Sequence, residues 1–153
     1  MLTRARLAAT ILALLALAGP ARTQAQEVAN LQVRLQMGLA YERQAISRLQ
    51  ASSTPPEYRL ADGIIYQGYV EIRWAHERVL GMIAKAQGRR NTGFVDPTLE
   101  MAAKALEESR AHINAARFEV QYARPGETAR IAKGIEHLQI ASGKARIAMD
   151  LLP

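Results

Sequence analysis

Three clusters of helix-breaking residues cut the chain into segments whose apolar residues recur at spacings of three and four. The breaks are Ser52-Ser53-Thr54-Pro55-Pro56, the stretch from Gly88 to Pro97, and Pro125-Gly126. Proline removes a backbone donor and fixes φ, while glycine and serine favour turns, so a helix is expected to stop at each. Each of the four segments has room for about five to seven helical turns. None shows the period-two alternation of a half-buried strand.

The ends of the segments carry helix-start chemistry. Thr54-Pro55-Pro56-Glu57 fits a capping box with Pro at the first helical position, and Asp96-Pro97 is again an N-cap followed by Pro. The pattern predicts helices over about 28–50, 54–87, 97–124 and 128–152. Asp62-Gly63 and Gly68 weaken the first half of the second.

Each segment has one apolar stripe. The first carries Val28, Leu31, Leu35, Leu39, Ile46 and Leu49. The second carries Tyr58, Ile65, Tyr69, Ile72, Val79 and Ile83. The third carries Leu99, Ala102, Leu106, Ile113, Ala116 and Val120, and the fourth Ile131, Ile135, Leu138, Ala145, Met149 and Leu152. Four one-sided stripes require a shared core, and short connections make sequential helices antiparallel. The expected fold is all-α, an antiparallel up-down four-helix bundle that follows a cleaved N-terminal signal peptide.

The signal reading rests on residues 1–25. Arg4 and Arg6 precede an uncharged run of 13 residues, Leu7 to Gly19; Pro20 breaks it, and Thr23-Gln24-Ala25 offers a cleavage site, with Ala21 as an alternative. The run is short for a bilayer core of about 30 Å. Residues 26–153 would then be the working domain, exported to a bacterial periplasm and without an integral membrane span.

Export changes the charge argument. The formal net charge is +6, but Arg4, Arg6 and Arg22 leave with the signal, so 17 basic residues remain against 14 acidic ones, or +3. That is ordinary for a small domain and does not point to nucleic acid. The chain has no cysteine, which removes disulfides, thiolate metal sites, covalent haem and cysteine catalysis together.

Polar residues interrupt the stripes. Glu42 stands in the first, His76 in the second, and Arg110 and Arg117 lie on or beside the third. Counting rise along an up-down bundle puts Glu42, Tyr69 and Arg117 at one height, with His76 and Arg110 in another layer about two turns away. A buried charge demands a partner, so a Glu42–Arg117 salt bridge is expected, with His76 bonded to Tyr69 or a backbone carbonyl. The same four residues could instead line an internal site for a small anion or a metal.

Named cofactor sites do not fit the sequence. A di-iron bundle needs Glu-x-x-His pairs, but Arg73, Ser109 and Gly134 stand three residues before His76, His112 and His137. Zinc needs three or four convergent ligands, and these histidines belong to three different helices. A haem held by Met37 and His137, in the manner of the exported b562-type cytochromes, would require both on the core face. Their helical phase places them off it. No cofactor, metal site or catalytic residue is therefore assigned.

Apolar residues also form stripes on the outside. Tyr66, Val70 and Trp74 are spaced by four on the second helix, away from its seam, and Ile140, Ile147 and Leu151, at intervals of seven and four, form a second stripe on the back of the fourth. Stripes of this kind read as interfaces, with a homodimer or another envelope protein as the partner. The loop with Arg89, Arg90, Asn91 and Phe94 reads as a solvated basic turn.

Overall fold

The computed structural model describes the backbone of residues 3–89 and 96–153, and the side chains of residues 24–88 and 96–153. Most of the expected signal peptide's side chains, and the loop with Arg90, Asn91 and Phe94, lie outside the described residues. Among the described residues there are four helices and no strand: α1 Thr3–Ala51, α2 Pro55–Arg89, α3 Pro97–Gln121 and α4 Thr128–Leu151. No described helix is long and apolar enough to cross a membrane.

The chain divides into two compact units, Met1–Asn30 and Leu31–Pro153. The first is helical from Thr3 on, and Gln26 Nε2 donates to Asn30 Oδ1 at 3.1 Å one turn on. The second is an up-down bundle of antiparallel helices. Neighbouring helices meet in falling register: Gly38 and Tyr41 of α1 lie against Ile72 and Gly68 of α2, and Asp62 and His76 of α2 meet Arg117 and Arg110 of α3. Glu108, His112 and Glu119 of α3 then meet Lys144, His137 and Lys133 of α4. Ser142 of α4 closes the ring on Glu42 of α1.

The predicted caps form with one change. The Thr54 box closes through the carboxylate alone: Glu57 Oε2 accepts from Ser53 N at 2.9 Å, Thr54 N at 3.0 Å and Thr54 Oγ1 at 2.8 Å. Asp96 Oδ1 accepts from Thr98 N at 2.9 Å and starts α3. That helix stops at Gln121, earlier than expected, because the turn into Pro125 already begins at Tyr122. Gly126, at φ +83°, supplies the left-handed residue of that turn.

Most seam residues point inward as read, while Ile46, Tyr69, Ile83, Ile135 and Met149 are only half-buried. Leu31, Leu35, Ile65, Ile72, Leu106, Ile113 and Leu138 are fully buried. Small residues let the helices approach: Ala102, Ala105, Ala116, Ala141, Ala145 and Ala148 are buried along α3 and α4. Gly68, which weakens α2 on propensity, sits where α1 packs close against it. A Cβ there would sit 3.4 Å from Tyr41 Cβ and 3.5 Å from the Gly38 carbonyl oxygen.

Candidate functional site

Two regions hold the residues that break the apolar pattern: a set of polar side chains inside and between the helices, and the outer face of α2.

Glu42 is wholly buried. The Ser142 hydroxyl donates to its Oε2, while its Oε1 is buried with no partner among the described residues. Burial pushes the carboxyl pKa up to about 7, and the Ser142 hydrogen bond and the nearby Arg146 charge offset only part of that rise. No Glu42–Arg117 salt bridge forms. Arg117 Nε instead donates to Asp62 Oδ1 at 2.9 Å, Gln121 Nε2 donates to Asp62 Oδ2 at 2.9 Å, and the guanidinium lies over the Tyr66 ring at 4.8 Å. Rise along a helix fixes the height of a residue but not the neighbour it faces. Glu42 faces α4 and Arg117 faces α2, so the two stand on opposite sides of the bundle's polar content.

His76 and Arg110 do meet. Arg110 Nη1 donates to His76 Nδ1 at 2.8 Å, so that nitrogen is the acceptor and the ring is neutral. Burial lowers the His76 pKa, and the adjacent Arg110 charge lowers it further against a small opposing pull from Glu107 and Glu77. Arg110 Nη2 donates to Tyr69 Oη at 3.4 Å, which lowers the phenol's pKa. Tyr69 thus bonds Arg110 and not His76, while its chain neighbour Gly68 lies against Glu42, so it stands near the height of Glu42 as the rise predicts. Arg110 Nε is buried without a partner among the described residues. The four candidate residues therefore fall into three separate groups: Glu42 with Ser142, His76 with Arg110, and Arg117 with Asp62.

Asp62, Glu71 and Ser109 carry polar burial that sequence reasoning passed over. Glu71 is buried and takes two bonds from Arg34 Nη1, at 2.9 and 3.1 Å. Ser109 donates to the Ala141 carbonyl at 3.0 Å. An i,i+4 scan within one helix does not reveal such cross-helix partners. An open hollow at the α1–α2 turn, lined by Gln44, Ser47, Arg48, Ala51, Ser52 and Glu57, touches none of the candidates.

On the outer face of α2, Tyr66 and Val70 are exposed. Trp74 is half-buried, because Arg34 lies over its ring at 5.1 Å and Arg78 at 5.5 Å. On α4, Ile140 and Ile147 are exposed and Leu151 is half-buried. Among the described residues, no group of three or more His, Asp or Glu side chains is arranged to hold a metal.

Comparison with protein-family models, with curated proteins and with solved structures finds no match to this chain.

Proposed function

We propose that the chain is an exported, non-enzymatic bundle that acts by self-association, two copies meeting through the outer face of α2. The observation that carries this is the composition and order of that face. Tyr66, Val70 and Trp74 follow one another at intervals of four, with Arg117 against one ring and Arg34 and Arg78 against the other. Aromatic and arginine side chains dominate binding energy at interfaces, and rings already held by neighbours lose little entropy on binding. Tyr66 and Trp74 are equally far from Val70 in sequence. A second copy running antiparallel about Val70 would therefore set each tyrosine against the other copy's tryptophan, the self-complementary arrangement that a two-fold interface needs.

Sedimentation velocity over a wide concentration range, on untagged wild type and Trp74→Ala, tests the proposal. The wild type should dimerise, and Trp74→Ala should weaken the dimer roughly tenfold or more with helicity and melting retained. A wild type that stays monomeric, or a variant that assembles equally well, counts against it.

A second reading is favoured by two orphaned atoms, Glu42 Oε1 and Arg110 Nε. Buried polar groups ordinarily find partners, so these sites could take up a small polar ligand after local rearrangement. Native mass spectrometry of protein purified without added ligand would reveal a retained mass, and Arg110→Gln should lose it.

A further inference from the structure

His112 of α3 and His137 of α4 face each other across the helix–helix seam, Nδ1 to Nδ1 at 3.1 Å, with ring centroids 5.3 Å apart and planes tilted by 40°. Both side chains are half-buried, so solvent reaches the pair. We propose that these two imidazoles form a chelating site for a late first-row divalent metal ion, with Cu(II) preferred, water completing the coordination shell.

The spacing is the first argument. Imidazole nitrogens bind such ions at about 2.0–2.1 Å, so two of them 3.1 Å apart would subtend about 100° at a shared ion. That lies between the right angle of a square-planar site and the tetrahedral angle. In the absence of an ion, one Nδ1 carries the proton and the other accepts it. To bind, the protonated ring gives up its Nδ1 proton to solvent and takes one at Nε2, so that both Nδ1 lone pairs are free, and each ring would turn by about 40°, from aiming at its neighbour to aiming at a common point. Histidine χ2 is soft enough for that.

The company the pair keeps is the second argument. Cross-helix polar pairs run along the α3–α4 seam as a ladder. Lys144 meets Glu108 at 2.5 Å on one side of the histidines, and Lys133 and Arg130 meet Glu119 at 3.0 and 3.3 Å on the other. Each of these flanking rungs is an acid and a base. The middle rung is two histidines, which supply no opposite charge and share only one proton. A rung serving only to staple the helices would be better built like its neighbours. Two imidazoles held face to face are, by contrast, a ready bidentate donor set. Two protein ligands alone make a site of modest affinity, and affinity for nitrogen donors peaks at Cu(II) in the divalent series.

The test is Cu(II) and Zn(II) binding to the untagged full chain by isothermal titration, with low-temperature electron paramagnetic resonance on the Cu(II) form. One Cu(II) per chain should bind, with nitrogen superhyperfine structure from two imidazoles. His112→Ala and His137→Ala should each weaken binding roughly tenfold or more, while His76→Gln leaves it unchanged. As a check on the wild type alone, Cu(II) should broaden the ring proton resonances of His112 and His137 and spare those of His76. Failure of the wild type to bind, binding retained in both single variants, or broadening centred on His76 would each overturn the proposal.

Discussion

The Ser142 hydroxyl on α4 donates to Glu42 Oε2 on α1, and among the described residues this is the one hydrogen bond to the fully buried carboxyl; Oε1 has no partner among them. A carboxylate wants several donors when it leaves water. With one, the group keeps its proton to about pH 7, against an ordinary 4.5.

The stability consequence has a definite sign. Between pH 4.5 and 7 the folded protein holds a proton on Glu42 that the unfolded chain has released, so stability falls as pH rises through that window. Above it the loss is constant, roughly 3 kcal/mol for a gap of this size. Glu42→Gln keeps the shape and removes the charge. The variant should be more stable than wild type at pH 8 and close to it at pH 4.5, as measured by urea unfolding. Equal destabilisation at both pH values would show that Glu42 is not buried in this way.

His76 works in the opposite direction. Its pKa is lowered by burial and by the Arg110 guanidinium 2.8 Å away. Below the ordinary value of 6.5 the unfolded chain takes up a proton that the folded protein resists. The His76 contribution is therefore complete above pH 6.5 and is lost as pH falls through the lowered value. In the Glu42→Gln background, stability should rise as pH increases toward 6.5. Adding His76→Gln should flatten that rise, and a rise that persists in the double variant would assign it to another group.

The residues that were legible from sequence alone were those whose signal is local to one helix. Prolines and caps marked the breaks, and spacings of three and four placed Leu31, Leu35, Ile65, Ile113 and Leu138 in the core. What was not legible depends on which helix stands next to which. Glu42 and Arg117 were paired on height alone, yet each turns to a different neighbour, Ser142 and Asp62. His112 and His137 stand on different helices, which argues against a shared site in sequence, yet those two helices are adjacent and bring the rings together. Gly68 read as a weakness in α2, because a glycine's cost is local while the close approach of α1 it permits is not.

Arg117 and Asp62 offer a direct measure of one such cross-helix pair. Their side chains are about one-quarter and one-fifth exposed, at 25% and 18%, which places the pair between a solvated ion pair and a buried one. A double-mutant cycle with Arg117→Met and Asp62→Asn should give a coupling of about 1–2 kcal/mol, above the typical exposed pair. The Arg117 change should also loosen Tyr66, which loses the guanidinium 4.8 Å from its ring. Zero coupling would mean the two side chains do not hold each other in solution.

Two glycines separate helix propensity from packing. Gly63 is exposed on α2 with nothing within 4 Å of a would-be Cβ, so Gly63→Ala should follow propensity and stabilise by about 0.8–1 kcal/mol. Gly38 is buried against α2, where a Cβ would come within 2.8 Å of Ile72 Cδ1 and 3.1 Å of Ile72 Cγ1. Ile72 is itself fully buried, so its side chain has filled space on every side and little freedom to yield. Overpacking costs about 1–3 kcal/mol, which outweighs the propensity gain of about 1 kcal/mol. Gly38→Ala should therefore lower the melting temperature while Gly63→Ala raises it, both measured in the Trp74→Ala background so that self-association does not enter. If both changes stabilise, α1 and α2 are not in close contact at Gly38, and the register that places Glu42 opposite Ser142 would need revising as well.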